Sequence, residues 1–362
     1  MHDNPLFDHD PLSAIEAVTM AQLLAFGPIA FHAILAMRDK GILGALAKNR
    51  LKKGLSIETI AENCGLSKYA TRVLLEAGLG LRLVWRKDGL YRLGKLGHFI
   101  LTDEMTRINF NFTRDVCYDA APHLDAALST GKPAGLKTLG PWETLYQGLS
   151  AMPEPAMKSW HEFDHFYSDQ AFPVVVKKLI AENPKSLLDI GCNTGKWAHT
   201  CLQNLPGLSI GLVDLPPQLE KAMAHLATIE TTISPKFYPL NMLDPRSRLP
   251  YGYDIIWMSQ FLDCFSEHEI IHILCTVKAA MKPGAKVWIL ELFWDRQRFE
   301  AAALSLQQAS LYFTSVANGK SQMYDSEVFF SLIRASGLTI SSVTDAVGQY
   351  HTLVECTANK TE

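Results

Sequence analysis

Asp189, Gly191 and Gly195 fall in the stretch SLLDIGCNTGKW at the spacing D-x-G-x-x-x-G. The two glycines let backbone approach a ligand where a Cβ would clash. An acid closing an otherwise apolar strand usually has a partner, because a buried charge without one is costly. A second acid, Asp214, closes the next apolar run about twenty residues past the loop, where a carboxylate commonly accepts hydrogen bonds from ribose hydroxyls. A phosphate-cradling loop needs four residues between its glycines, then Lys and Ser or Thr. Here three residues intervene and Trp197 follows Lys196, which excludes that chemistry. A dinucleotide fingerprint needs glycines where Asn193 and Lys196 stand.

These residues require a buried strand (Leu187, Leu188, Ile190), a tight loop and an amphipathic helix over 197–205. The runs LSIGLVD, PKFYPLNMLD, YDIIWMSQFLD and AKVWILELFW read as four more strands. One helix starts from Gln218 and another spans 267–281, ending at Lys282-Pro283-Gly284. Two final strands, 338–344 and 350–357, are joined by a link too short for a crossover helix, so they pair antiparallel. That ending disfavours a dehydrogenase.

Apolar residues recur at helical spacing over 12–24 and 28–48. Ser56 and Ser67 are N-cap candidates for two short helices, and Asp88-Gly89 joins two β-rich runs as a hairpin. Helix, turn, helix and hairpin describe a winged helix, a fold that also serves DNA binding. Residues 48–95 are basic, but the helix that would enter the groove offers little beyond Lys68, Tyr69 and Arg72. A dimer scaffold with a solvated basic face is the preferred expectation. Residues 100–170 read as helical connectors broken by GKPAG and MPEP, dense in aromatics that form core or wall a pocket for a flat substrate.

The 362 residues suit two domains, and a net charge of −3 argues against a nucleic-acid partner. Seven cysteines form no CxxC pair or metal-like cluster, which suits reduced thiols in the cytoplasm. The N-terminus carries no signal-sequence pattern and no uncharged apolar run approaches a membrane span.

From FDHFYSD through DIGCNTG, VDLPPQLEKA and MKPGAKVWILE, the chain resembles the two-domain small-molecule O-methyltransferases. Their pattern pairs a winged-helix dimerisation domain with a Rossmann-like class I methyltransferase sheet, and their cofactor is S-adenosylmethionine. The resemblance implies an α/β fold with domains at 1–105 and 171–362, and 106–170 as a connector that contributes to the substrate pocket. It places Asp189, Gly191 and Gly195 at the methionine end and ribose of the cofactor, and Asp214 with Leu215 at the ribose hydroxyls. The family's Asp-Met pair beside adenine falls on Asn241 and Met242, and a nearby Lys is replaced by Ser259. Phe163, Tyr167 and Gln260 fall at substrate-facing positions.

The larger departure follows the fourth strand. The family reads Leu-His-Asp-Trp there, with the histidine as base; this chain reads Leu262-Asp263-Cys264-Phe265. Glu291 occupies the position of a carboxylate that orients the base, and a second such carboxylate, expected near Gln322 or Met323, is missing. Moving a proton from a phenol (about 10) to a free Asp (about 3.9) is uphill by roughly 8 kcal/mol. Asp263 therefore needs a raised pKa, from burial or from Glu291, or else help from His161, His165 or His351. Capping of the helix near Ser266 is the alternative role for Asp263.

The combined expectation is a homodimeric, metal-independent methyltransferase acting on the phenolic or enolic oxygen of a small aromatic or conjugated metabolite. Methylation of a ring carbon ortho to a phenol, a DNA-binding regulator and an inactive cofactor-binding scaffold are the alternatives.

Overall fold

Runs such as Leu187–Ile190 and Ile255–Met258 leave no face for water, so they belong in a parallel sheet covered on both sides. The computed structural model describes residues 7–49, 53–149 and 151–358, apart from the side chains of Tyr167 and Asp169. It divides into two units, Phe7–Asn111 and a second that begins at Phe112.

In the first unit, Ser13 and Glu16 form a capping box that starts α1 (Ala14–Ala25). The apolar run expected as one helix over 28–48 is two, α2 (Gly27–Asp39) and α3 (Ile42–Lys48). Gly41 breaks it by adopting φ +82, a conformation open to glycine but strained for other residues. Ser56 caps α4 (Ile57–Cys64) and Ser67 caps α5 (Lys68–Gly80), each accepting a backbone N–H three residues on. The hairpin β1 (Val84–Lys87) and β2 (Leu90–Leu93) turns at Asp88-Gly89, both at positive φ as a tight hairpin turn requires. Helices α6 (Lys95–Thr102) and α7 (Glu104–Phe112) complete the unit. Its core gathers Met37, Leu43, Leu46, Ile60, Leu75 and Tyr91. Phe110, read from sequence as connector, stacks on Phe31 at 5.3 Å and belongs to this core, so the unit runs past residue 105. Helix α1 buries no side chain within the unit, and Ile15, Val18, Leu24 and Ile29 are 64–81% exposed.

The second unit opens with α8 (Leu124–Thr130) and α9 (Leu145–Gly148). Helix α10 (Glu154–Glu182) begins inside MPEP, with Pro155 in the first turn, where its missing N–H has no helical partner to lose. It continues past residue 170 with Pro173 in its interior, so no break in the helix falls at the expected border between connector and sheet domain. The N-terminal half of α10 packs in an aromatic cluster through Trp160 and Phe163; Ala171, Val175 and Leu179 pack against the sheet.

The sheet elements follow in order: β3 (Ser186–Ile190), α11 (Lys196–Asn204), β4 (Ser209–Asp214), α12 (Pro216–Leu226), β5 (Lys236–Pro239), β6 (Ile255–Ser259), α13 (Glu267–Ala279), β7 (Lys286–Glu291), α14 (Glu300–Tyr312), α15 (Ser326–Ala335), β8 (Leu338–Val347) and β9 (His351–Ala358). Strand order is β5-β4-β3-β6-β7-β9-β8, with β9 antiparallel to both neighbours. The two-residue strand period splits the side chains: Leu187, Trp257 and Trp288 pack with α10, α11 and α12. Leu188, Ile190, Ile256 and Ile289 pack with α13 and α15. No single helix among the described residues is long and apolar enough to cross a membrane; α1 and α2 reach that length and composition only as a pair bent by 73°.

Candidate active site

The chain leaves β3 toward β4 and β5, then returns to β6 on the other side of β3. Such a reversal opens a crevice at the carboxyl ends of the two strands. A cleft lies there. Asp189, Gly191 and Asn193 line it from the β3 end, and Ser259 and Gln260 from the β6 end. Asp164, His165, Ser168 and Phe172 of α10 line it too, as do Trp197 and Trp257, whose rings stack at 4.5 Å.

Asp189 sits on the face of β3 that carries Leu187, 2% exposed. Burial first, then repulsion from Asp214, pushes its pKa well above the usual carboxylate range. Its Oδ2 has no hydrogen-bond partner; nor do Trp197 Nε1, Trp257 Nε1 and Ser259 Oγ, all buried in the cleft wall. Four unpaired polar atoms of both acceptor and donor type in one cleft are costly unless a polar ligand completes them. A ligand with an ammonium group and hydroxyls matches that set, so the residues present fit S-adenosylmethionine.

Gly191 adopts φ +75, and a Cβ there would run into the Phe261 ring. Its need for glycine is thus set partly by the chain's own packing. Gly195, at φ +74, starts α11 and leaves a Cβ only 3.2 Å from Ala222. Asp214 closes β4 with one oxygen accepting the Asn193 N–H at 2.8 Å and the other accepting the Leu215 N–H at 2.7 Å. Burial still holds its pKa above the ordinary value despite these donors. The Asn193 amide reaches Asp164 of α10 at 3.4 Å, so Asn193 ties β4, the glycine loop and α10 together. Asn193 adopts φ +48, which asparagine tolerates better than most residues. Sequence reasoning treated it only as a missing glycine. Asp164 and Ser168 of α10 were also missed individually, although the FDHFYSD stretch marked their position.

Asn241 and Met242, like Gly195, Asp214 and Leu215, are not among the residues that line the cleft. Asn241 is exposed and its Oδ1 accepts the Leu243 N–H, while Met242 is buried in the apolar core cluster that includes Leu249. Phe163 is committed to the aromatic cluster, stacked on Phe112 at 4.1 Å. The side chain of Tyr167 lies outside the described residues.

Asp263 and Glu291 form a second, separate centre beyond Gln260. Asp263 sits in the short turn after β6, 5% exposed, and its Oδ1 accepts the Cys264 thiol at 3.4 Å. Helix capping is not its role: Ser266 and Glu269 form the capping box of α13. Burial lifts the Asp263 pKa to about 6. Burial and then repulsion from Asp263 hold the Glu291 pKa well above the usual range. Glu291 Oε1 accepts the N–H groups of Phe261 (3.1 Å) and Leu262 (2.9 Å), fixing the turn that carries Asp263, while Oε2 is buried without a partner. Around the turn stand Tyr146 and Cys264, both half-buried, with pKa values that desolvation pushes well above the ordinary range, and the Trp160–Tyr312 hydrogen bond of 2.7 Å. No carboxylate stands at Gln322 or Met323; Met323 is buried in the aromatic cluster.

His161 and His165 stack at 5.7 Å on α10, and burial lowers the His161 pKa. His351, at the start of β9, is fully buried. Among the described residues no group of three or more His, Cys, Asp or Glu side chains is placed to hold a metal ion.

The Dimerisation2-like domain family matches residues 19–91, and the O-methyltransferase domain family matches residues 168–338. Demethylspheroidene O-methyltransferase of Rhodobacter capsulatus is 24% identical over 242 residues, 64% of this chain and 56% of that protein. 3-Amino-4-hydroxybenzoate 4-O-methyltransferase of Streptomyces cremeus is 22% identical over 227 residues, 63% of this chain and 59% of that protein. The chain thus spans less than two thirds of either relative. Among solved structures, the apo S-adenosylmethionine-dependent methyltransferase SibL superposes with a TM-score of 0.70 at 23% identity, covering 93% of this chain and 98% of that one. Human N-acetylserotonin methyltransferase in complex with SAM gives 0.63 at 18%, covering 97% and 99%. At these identities the superpositions establish the fold.

Proposed function

The chain belongs to the S-adenosylmethionine-dependent O-methyltransferases that carry a Dimerisation2-like domain, and on that premise we propose that it methylates an oxygen of a small aromatic or conjugated metabolite. The observation that carries this reading is the cleft of unpaired polar atoms at the β3/β6 reversal, beside an aromatic cluster and a buried acid. When bound, the sulfonium cofactor supplies an electrophilic methyl group.

Asp189 accepts N–H hydrogen bonds from the ammonium end of the cofactor, and Asp214 accepts ribose hydroxyls with the lone pairs left by Asn193 and Leu215. Asp263 accepts the proton of the acceptor hydroxyl as oxygen takes the methyl. With Asp263 near 6, full transfer from a phenol near 10 is uphill by roughly 5 kcal/mol, against roughly 8 for a free Asp. Glu291 holds the turn through two backbone N–H groups and is a positioning residue. Positioning of the two reactants supplies most of the rate.

A second copy of the chain covers the exposed apolar side of α1 and α2, making the protein a homodimer. The test is binding and turnover together. S-adenosylhomocysteine should raise the melting temperature and NAD should not, and labelled methyl should appear on at least one member of a phenol panel. Thermal stabilisation without any methyl transfer would favour an inactive scaffold.

A further inference from the structure

His351 lies 91 residues from Gln260 in sequence, yet its Nε2 is 3.0 Å from Gln260 Oε1. The antiparallel course of β9 explains this, because its first residues lie beside the last residues of β7, where Thr352 faces Glu291. The Gln260 backbone is locked as well: φ is +45, and its N–H donates to Leu290 O at 2.9 Å. The imidazole is fully buried and its Nδ1 has no partner. Burial lowers its pKa to about 3, so the ring is neutral and carries one N–H.

Only one tautomer leaves no buried donor unsatisfied. A hydrogen on Nδ1 would face no acceptor, whereas a hydrogen on Nε2 donates to Gln260. The partner of that hydrogen must be the Gln260 oxygen, so the amide cannot flip. Only the NH2 end of Gln260 is then left for the cleft it lines, beside Ser259 and across from Asp189.

We infer that His351 is a positioning residue that holds Gln260 as a donor-only contact, and that Gln260 takes the carboxylate at the amino-acid end of the cofactor. The cleft then reads a zwitterion from both sides, with Asp189 as the acceptor for the ammonium and Gln260 as the donor for the carboxylate. This assignment rests on the cofactor reading above.

Calorimetry with two thioether nucleosides tests it. S-adenosylhomocysteine carries the amino-acid end and 5′-methylthioadenosine lacks it. Gln260→Met and His351→Phe should each weaken S-adenosylhomocysteine about tenfold and change 5′-methylthioadenosine by less than about twofold. Unchanged S-adenosylhomocysteine binding by Gln260→Met, or equal losses for both ligands, would overturn the assignment. If His351→Phe does not fold, 15N spectra of the wild-type imidazole at pH 7 decide the positioning role. Protonation at Nε2 alone supports it; an Nδ1–H tautomer or an imidazolium removes it. Wild-type protein that binds neither nucleoside would sink the cofactor reading itself.

Discussion

The cleft at the β3/β6 reversal and the acid pair in the turn after β6 are both buried and polar, but they are unfinished in different ways. The cleft leaves atoms of both kinds unpaired, the acceptor Asp189 Oδ2 and the donors Trp197 Nε1 and Trp257 Nε1, with Ser259 Oγ able to act as either. A single ligand bearing donors and acceptors can complete it without moving a proton. The acid pair has two acceptors and shortage of hydrogen: Glu291 already holds two backbone N–H groups, and Asp263 one thiol. What completes that centre is a proton. On the proposed reading the first region binds and the second accepts a proton, so substitutions should separate the two.

The sharpest separation is Asp263→Asn. Turnover should fall by about 10²–10⁴ with S-adenosylhomocysteine affinity unchanged, because shape is kept and proton acceptance is lost. An Asn variant as active as wild type would take Asp263 out of the mechanism. Asp263→His tests the same centre from the other side. Oxygen chemistry should survive with the rate–pH profile moved toward imidazole's range, whereas ring-carbon methylation that needs a carboxylate should not.

The reverse effect belongs to the cleft. Asp214→Ala should weaken S-adenosylhomocysteine by about 1.5–3 kcal/mol, the worth of a hydrogen bond to a charged group, read by calorimetry. Equal binding by the two proteins would refute the ribose contact.

A smaller effect sharpens the assignment of Asp263 through stability. Its pKa in the folded protein, about 6, lies above the ordinary value of 3.8 because of burial. The folded state therefore holds the proton more tightly, a contribution fully present below about pH 4 and lost as pH rises through about 6. Asp263→Asn removes this dependence. The melting temperature of the variant relative to wild type should rise between pH 5 and pH 8, measured by calorimetry. A constant difference would mean that Asp263 does not titrate in that range.

The smallest effect on chemistry lies in the other unit. Ile15→Glu with Leu24→Glu on α1 should shift the mass seen by light scattering from dimer to monomer at micromolar concentration. Wild-type protein that is already monomeric would end the dimer proposal.

The frame of the fold was legible because its signals are local. The apolar runs of β3, β6 and β7, the glycines at 191 and 195 and the caps at Ser56 and Ser67 each act within a few residues, and all are found where the sequence places them. The break at Gly41 was missed because the apolar spacing continues across it while the backbone turns. Asp189 and Gly191, which line the cleft, were picked out along β3 by the same kind of local pattern, and Asp214 bonds Asn193 of the glycine loop. Contacts that join distant segments were not: Asn193 to Asp164, His351 to Gln260, and Gly191 against Phe261. No spacing rule announces a pair brought together by an antiparallel final strand.

The length of α10 has one further consequence. Trp160 and Phe163 lie in the aromatic cluster, while Asp164, His165, Ser168 and Phe172 line the cleft, all on one unbroken helix. One helix therefore joins the aromatic cluster to the cleft. Whatever factor the occupancy of one place contributes to affinity at the other must be returned equally in the opposite direction. The affinities of the two reactants, measured alone and together, then close one thermodynamic cycle whatever the kinetic order of addition.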